Sequence, residues 1–181
     1  WDRLLRRVSL SPGERVLDIG SGTGASVELL LRTLSDADAA TTARPRPEHP
    51  PIVAIDRSAK AVERIRQRVP QAVANGLVDL RVCDIAGLDP SVGPIDAAVA
   101  VNINVFWTSD AAAELAALAR VLAPGGRLLT AYGDGPAPGM DRGHLDQVEA
   151  SVADSPEFEV TRRLDGDHGS AIIAVMTAHP S

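Results

Sequence analysis

Cysteine and aromatic residues are scarce in this sequence of 181 residues, which has one cysteine, Cys83, and only 3 % aromatic residues. A single cysteine excludes an internal disulfide and fits a reducing compartment such as the cytoplasm. Neither Cys83 nor the four histidines show the spacing of metal ligands, so we predict no structural or catalytic metal. Lysine is as scarce as cysteine, since Lys60 is the only one.

Long apolar runs and excess positive charge are also missing. The longest apolar run, IDAAVAVNINVFW, is too short and too polar in its second half to cross a bilayer, and the first residues form no apolar signal segment. The net charge of −6 argues against a nucleic-acid partner, which normally requires a basic surface. We therefore expect a cytoplasmic protein whose partner is a small molecule and not a membrane or a nucleic acid.

Short apolar runs alternate with helix-period segments along the chain, as in a parallel sheet that carries helices on both faces. The predicted strands are RVLDIG, IVAID, LVDLRVCD, IDAAVAVN and RLLTAY, and the tail, FEVTRRL to AIIAVMTA, predicts an antiparallel hairpin. With 45 % hydrophobic residues, residues 1–181 are long enough for one domain with a substantial core. The predicted fold is a doubly wound, Rossmann-like α/β domain, mainly parallel, with a C-terminal antiparallel hairpin.

Several local signals set expected boundaries. Residues 35–51 are rich in Pro, Asp, Thr and Arg, which indicates an insertion or long loop. Ser58 is expected to cap a helix that ends near Val69, because Pro70 disfavours helical geometry in the residue before it. Thr108 or Ser109 is expected to cap a helix with Leu115, Leu118 and Leu122 inward, and the PGG that follows is expected to stop it.

The carboxyl ends of the predicted strands are unusually polar, and in an open parallel sheet ligands bind beyond those ends. The glycines of GSGTGA allow a tight turn with the backbone pressed against a ligand, at the start of a helix. The same turn fits the loose dinucleotide pattern, so by itself it does not separate NAD from other adenosine ligands. An acidic residue at the end of the second strand, Asp56, suits a ribose diol in either case.

The run VLDIGSGTG resembles the first motif of class I S-adenosylmethionine-dependent methyltransferases, VAIDRS resembles their second motif and VCDI their third. LARVLAPGGRLL resembles the segment before their fifth strand, and VNINVFWTSD is similar to the segment after strand four in small-molecule methyltransferases related to ubiquinone and menaquinone biosynthesis. This resemblance implies S-adenosylmethionine as cofactor, S-adenosylhomocysteine as product, and methyl transfer to an oxygen or carbon of a small molecule. The residues it places at the cofactor are Asp18, Gly20, Ser21, Gly22, Gly24, Asp56, Arg57, Asp84, Ile85 and Asn102. We expect the acceptor pocket at Asn104, Phe106, Trp107 and Tyr132.

Each candidate also has a purely structural interpretation. Asp84 is of a type that forms turns, Asn102 and Asn104 could bond their own loop, and Phe106, Trp107 and Tyr132 could simply pack in the core. His144, which follows the fifth strand, is the candidate general base by position and because histidine titrates near neutral pH; the alternative is a solvated surface histidine.

Three other functions compete with methyl transfer. An NAD(P)-dependent oxidoreductase would need a hydride-transfer apparatus such as a Tyr and Lys pair, yet Lys60 lies far from Tyr132 in the expected fold. A non-catalytic domain, or a partner subunit that keeps the cofactor pocket, stays open. Nucleic-acid methylation would require a basic groove and a base-binding motif after strand four, and the sequence shows neither.

Overall fold

The structure is a computed structural model, and it describes residues 10–11, 13–39, 49–133, 142–165 and 169–177. Its centre is a seven-stranded sheet in the order β3-β2-β1-β4-β5-β7-β6. The strands are β1 (Val16–Ile19), β2 (Ile52–Asp56), β3 (Val78–Val82), β4 (Ile95–Val101), β5 (Leu122–Tyr132), β6 (Phe158–Leu164) and β7 (Ser170–Met176). The first five strands are parallel, and β7 runs antiparallel to both β5 and β6. The predicted sheet and hairpin are confirmed.

Helices cover both faces of this sheet. They are α1 (Ala25–Ala39), α2 (Ala59–Arg68), α3 (Pro70–Ala74), α4 (Val105–Thr108), α5 (Ala112–Val121) and α6 (Arg142–Ala153). As predicted, Ser58 caps α2 by accepting a hydrogen bond from Ala61, and α2 ends at Arg68, with Val69 as its C-cap. Among the described residues, no helix is long and apolar enough to cross a membrane.

The core has two layers, one on each face of the sheet, because successive side chains of a strand point to opposite faces. In β1, Leu17 and Ile19 join the layer that packs against α5 and α6, whereas Val16 joins the layer under α1. Asp18 lies two residues after Val16, so its side chain also faces α1 and is 1 % exposed. The alternation of side chains along β1 therefore buries the carboxylate of Asp18 beneath α1.

Three predicted boundaries are wrong. Helix α1 continues to Ala39, so the predicted insertion at 35–51 begins as helix, and residues 40–48 lie outside the described part of the chain. Helix α5 is capped by neither Thr108 nor Ser109. Its N-cap is Ala111, at φ +51°, and the Ser109 hydroxyl accepts a hydrogen bond from the Ala111 N–H. PGG does not end that helix, because β5 already begins at the buried Leu122 and includes the PGG.

Candidate functional site

A cleft of about 530 Å³ opens at the carboxyl ends of the central strands. The chain leaves β1 toward β2 on one side and reaches β4 on the other, and ligands of open α/β sheets bind at such a switch point. The predicted site residues that line the cleft are Gly20, Asp56, Arg57, Asp84, Ile85, Asn102 and Asn104. Its other lining residues are Ile19, Ile55, Cys83, Ile103, Val105, Thr108 and Glu114.

The glycine turn that follows β1 is held tightly against the end of β2. Gly20, Gly22 and Gly24 all have positive φ, at +64°, +53° and +80°, a backbone region in which glycine is the least strained residue. The N–H groups of Gly20 and Ser21 both donate to the Ile55 carbonyl, at 2.8 and 3.1 Å. The turn is therefore preorganised, and of the predicted residues in it only Gly20 lines the cleft.

Asp56 fixes the turn from the opposite side. Its Oδ2 accepts from the Gly22 N–H at 2.9 Å, and its Oδ1 accepts from the Ser58 N–H at 2.8 Å. A carboxylate oxygen has two lone pairs, so each oxygen keeps one acceptor site after these bonds. Asp56 is half-buried and lines the cleft, where it presents this remaining capacity.

Asp18 lies beneath the turn and does not line the cleft. The Ser26 hydroxyl in the first turn of α1 donates to Asp18 Oδ2 at 2.7 Å, while the buried Oδ1 has no hydrogen-bond partner within the described residues. Burial raises the pKa of Asp18 to about 6, and the hydrogen bond from Ser26 acts in the opposite direction. A buried acceptor without a partner is uncommon in folded proteins and requires an explanation.

The end of β3 contributes a turn and one side of the cleft. Asp84 Oδ1 accepts from the Gly87 N–H at 2.7 Å, so Asp84 does form a turn as well as line the cleft. Ile85 is buried beside it and packs into the core. Burial raises the pKa of the neighbouring Cys83 thiol, which makes that thiol a weak nucleophile at neutral pH. Arg57 is exposed at the rim.

The segment after β4 crosses to the end of β5. Asn102 adopts φ +55°, its N–H donates to the Ala131 carbonyl at 2.8 Å, and its Oδ1 accepts from the Gly133 N–H at 3.3 Å. The hydroxyl of Tyr132 donates to the Ile103 carbonyl at 3.1 Å. Both asparagines line the cleft, and Asn104 is exposed.

The predicted acceptor residues separate into two groups. Phe106 is fully buried in the core and lies away from the cleft, as its structural interpretation requires. Tyr132 is 1 % exposed, and its ring meets the edge of Trp107 with centroids 5.1 Å apart. On its other side Trp107 contacts the ring of His144, with centroids 5.4 Å apart. The structure thus brings together an indole, a phenol and an imidazole, but of the predicted acceptor residues only Asn104 lines the cleft.

Several residues of this region were not predicted as site residues. Ser26 is an ordinary helix residue by type and Glu114 belongs to no motif, whereas Ile103 and Thr108 lie in the segment VNINVFWTSD but have no side-chain type that marks a binding role. Ile103 lies over Gly20 so closely that a Cβ on Gly20 would collide with its Cδ1. Across the ranges that the structure describes, no group of three or more His, Cys, Asp or Glu residues is placed to hold a metal ion.

The oxidoreductase alternative finds little support in this geometry. The Tyr132 hydroxyl is buried and already bonded to a backbone carbonyl, while Lys60 is exposed in the first turn of α2. The two side chains that such an enzyme would pair therefore belong to different parts of the fold.

Comparison with known proteins gives a consistent picture. Residues 16–126 match the model of a family described as a methyltransferase domain. A trans-aconitate 2-methyltransferase from Methylobacterium nodulans is 34 % identical over 125 residues, which cover 69 % of this chain and 40 % of that protein. An O-methyltransferase from Pyrenophora dematioidea is 30 % identical over 125 residues, 69 % of this chain and 41 % of that protein.

Solved structures agree at the level of the fold. A SAM-dependent methyltransferase from Aquifex aeolicus superposes with a TM-score of 0.70 at 18 % identity, over 97 % of this chain and 89 % of that one. The chain spans about two-fifths of the length of the curated relatives it matches. Because the family model matches more than half of the chain, the protein belongs to the methyltransferase-domain family.

Proposed function

We propose that the cleft binds S-adenosylmethionine and that the protein transfers its methyl group to an oxygen or carbon atom of a small molecule. The observation that carries this proposal is the buried, unpartnered Oδ1 of Asp18 beneath the glycine turn. Asp18 does not line the cleft, so a water molecule between this oxygen and a ligand ammonium group is the kind of donor that it lacks. The methyltransferase-domain match supports the same choice.

The residues around the cleft suit the rest of such a cofactor. Asp56 keeps one acceptor site on each oxygen for the hydroxyls of a ribose, and its two backbone bonds hold it in place. Gly20 lines the cleft beside Ile103, whose side chain takes the space that a Cβ on Gly20 would fill, and Ile19, Ile55 and Ile85 provide an apolar lining for a base. Asp84 is the candidate acceptor for an amino group of that base. Arg57 is a further candidate contact at the rim.

Few catalytic side chains are needed in this chemistry. S-adenosylmethionine, when bound, supplies a methyl group that is already electrophilic because it is attached to a sulfonium. The protein must align the acceptor and exclude water, and it needs a general base only where the acceptor loses a proton. His144 is the candidate base, since its ring lies against Trp107, one residue before Thr108 of the cleft lining.

The acceptor is proposed to enter on the side of Asn104 and Trp107. Asn104 is exposed in the cleft, and Trp107 is half-buried next to His144. The similarity to a trans-aconitate 2-methyltransferase and to an O-methyltransferase supports a small-molecule acceptor and favours oxygen among the two candidate atoms.

Thermal unfolding with four ligands tests the proposal. S-adenosylmethionine, S-adenosylhomocysteine, NAD and NADP are each added at about 100 times a typical Kd, where a true ligand adds about 2.7 kcal/mol and raises Tm by about 5–10 °C. We expect a shift with the two adenosyl sulfur compounds and none with the nicotinamide compounds. A shift with NAD or NADP alone would refute the proposal in favour of a dehydrogenase, and no shift at all would mean that the cleft is not a cofactor site.

A further inference from the structure

Three hydrogen bonds tie the loop after β4 to the end of β5. The Asn102 N–H donates to the Ala131 carbonyl, the Gly133 N–H donates to Asn102 Oδ1, and the Tyr132 hydroxyl donates to the Ile103 carbonyl. Asn102 adopts a left-handed conformation, which asparagine tolerates better than most residues other than glycine. The loop is therefore held in place by β5.

The side chain presented by this loop lies on the glycine turn. A Cβ on Gly20 would collide with Ile103 Cδ1, so the absence of a side chain at Gly20 is what lets Ile103 approach. Both residues line the cleft. The position of the Ile103 side chain thus sets the shape of the cleft where the glycine turn meets β4.

Tyr132 itself does not line the cleft and is almost fully buried. Burial raises the pKa of its phenol, so the hydroxyl stays protonated and remains a donor throughout the ordinary pH range. The T-shaped contact with Trp107, at 5.1 Å between ring centroids, packs against the Tyr132 ring. These features suit a residue that orients a neighbouring residue, and they do not suit a general base.

We propose that Tyr132 is a positioning residue, whose hydroxyl holds the Ile103 backbone so that the Ile103 side chain stays on Gly20 and shapes the cofactor cleft. The inference rests on the proposed function, since it assigns Tyr132 a role in binding the cofactor. This positioning role differs from the direct contact with the acceptor that the sequence predicts for Tyr132.

A double-mutant cycle on the affinity for S-adenosylhomocysteine, measured by calorimetry, tests the proposal. Tyr132→Phe keeps the ring and removes the hydroxyl, and we expect it to raise Kd by about five-fold, the effect of one hydrogen bond. Ile103→Ala is expected to raise Kd by at least as much. In the Ile103→Ala background, Tyr132→Phe should change Kd by less than about two-fold, because the side chain that it positions is gone.

Thr161→Val is the matched control. The Thr161 hydroxyl, like that of Tyr132, donates to a backbone carbonyl, that of Ile173, but it does so in β6 at the edge of the sheet. Thr161 is exposed, and we expect this variant to keep the wild-type Kd. A change in Kd with Thr161→Val as large as that with Tyr132→Phe would mean that both effects are general losses of stability, and would overturn the proposal.

The remaining outcomes separate this proposal from the function on which it rests. A full Tyr132→Phe effect in the Ile103→Ala background would show that Tyr132 acts independently of Ile103 and would overturn the positioning role alone. Failure of the wild-type protein to bind S-adenosylhomocysteine would overturn both. Hydrogen exchange needs no ligand: Tyr132→Phe should speed exchange of the Asn102 and Gly133 amides, and unchanged rates would contradict the proposed hold on the loop.

Discussion

Replacing Asp18 by asparagine should make the ligand-free protein more stable while it weakens cofactor binding. The carboxylate is 1 % exposed, receives one hydrogen bond from Ser26 and leaves Oδ1 without a partner in the described structure. In its ionised form it is a buried charge that hydrogen bonding offsets only in part, and the nearby charge of Asp56 adds to the cost. Asparagine is nearly the same size and carries no charge, so the substitution removes that cost.

The size and the sign of the effect follow from the pKa. Burial raises the pKa of Asp18 from 3.8 to about 6 in the folded protein, a change of about two units. At about 1.4 kcal/mol per unit, the ionised carboxylate lowers the free energy of unfolding by about 3 kcal/mol at pH 8. The folded protein binds the Asp18 proton more tightly than the unfolded chain does. The contribution of Asp18 to the free energy of unfolding is therefore most favourable below pH 4, and it is lost as the pH rises through 6.

Urea denaturation at pH 4 and pH 8 measures this difference. We expect Asp18→Asn to exceed the wild-type free energy of unfolding by up to about 3 kcal/mol at pH 8 and by less than about 1 kcal/mol at pH 4. Glu159→Gln, which neutralises an exposed carboxylate, is the control and should change stability little at either pH. An Asp18→Asn protein that is less stable than wild type by the same amount at both pH values would refute the reasoning.

Four further substitutions test other features. Gly22→Val should abolish S-adenosylhomocysteine binding in calorimetry, because a β-branched residue is strained at φ +53° and would displace the Gly22 N–H that holds Asp56 Oδ2; Gly76→Val, at φ +69° with nothing within 4 Å, puts the same kind of strain outside the glycine turn and should bind normally. Asp56→Asn should weaken the same binding by about 1–3 kcal/mol, and an unchanged Kd would place the ribose elsewhere. Phe106→Ala should lower the free energy of unfolding by about 3–5 kcal/mol in urea, whereas a small loss would contradict its place in the core. Arg163→Ala removes an ion-pair network with three carboxylates and should lower Tm at low salt by more than in 1 M NaCl, where such pairs are screened; equal losses would exclude an electrostatic origin.

The sequence predicted the sheet well because each strand can be recognised from its own run of residues. β4 is almost continuous in apolar residues, as a strand covered on both faces must be, and the Asp that ends β2 follows directly from IVAI. The boundaries near α5 were predicted wrongly for a physical reason. Ala111 takes the left-handed conformation at the N-cap, and no residue-type preference indicates alanine there.

The cleft was less predictable, because its shape depends on contacts between distant segments. The strand-end rule identifies Asp56, Asp84 and Asn102, which do line the cleft. It does not distinguish Phe106, buried in the core, from Trp107 one residue later, which contacts His144. That difference depends on the direction in which the short helix α4 presents each side chain.

The residues proposed to bind the cofactor and those proposed to bind the acceptor lie in different halves of the chain. The glycine turn, Asp56 and Asp84 follow β1, β2 and β3, whereas Trp107 and His144 belong to α4 and α6, which follow β4 and β5. If the first half serves the cofactor and the second, apart from Tyr132, serves the acceptor, the second can diversify around Tyr132 while the first stays constant. Chimeras that exchange the chain from Asn104 onward between relatives would then inherit the acceptor preference of the donor of that half.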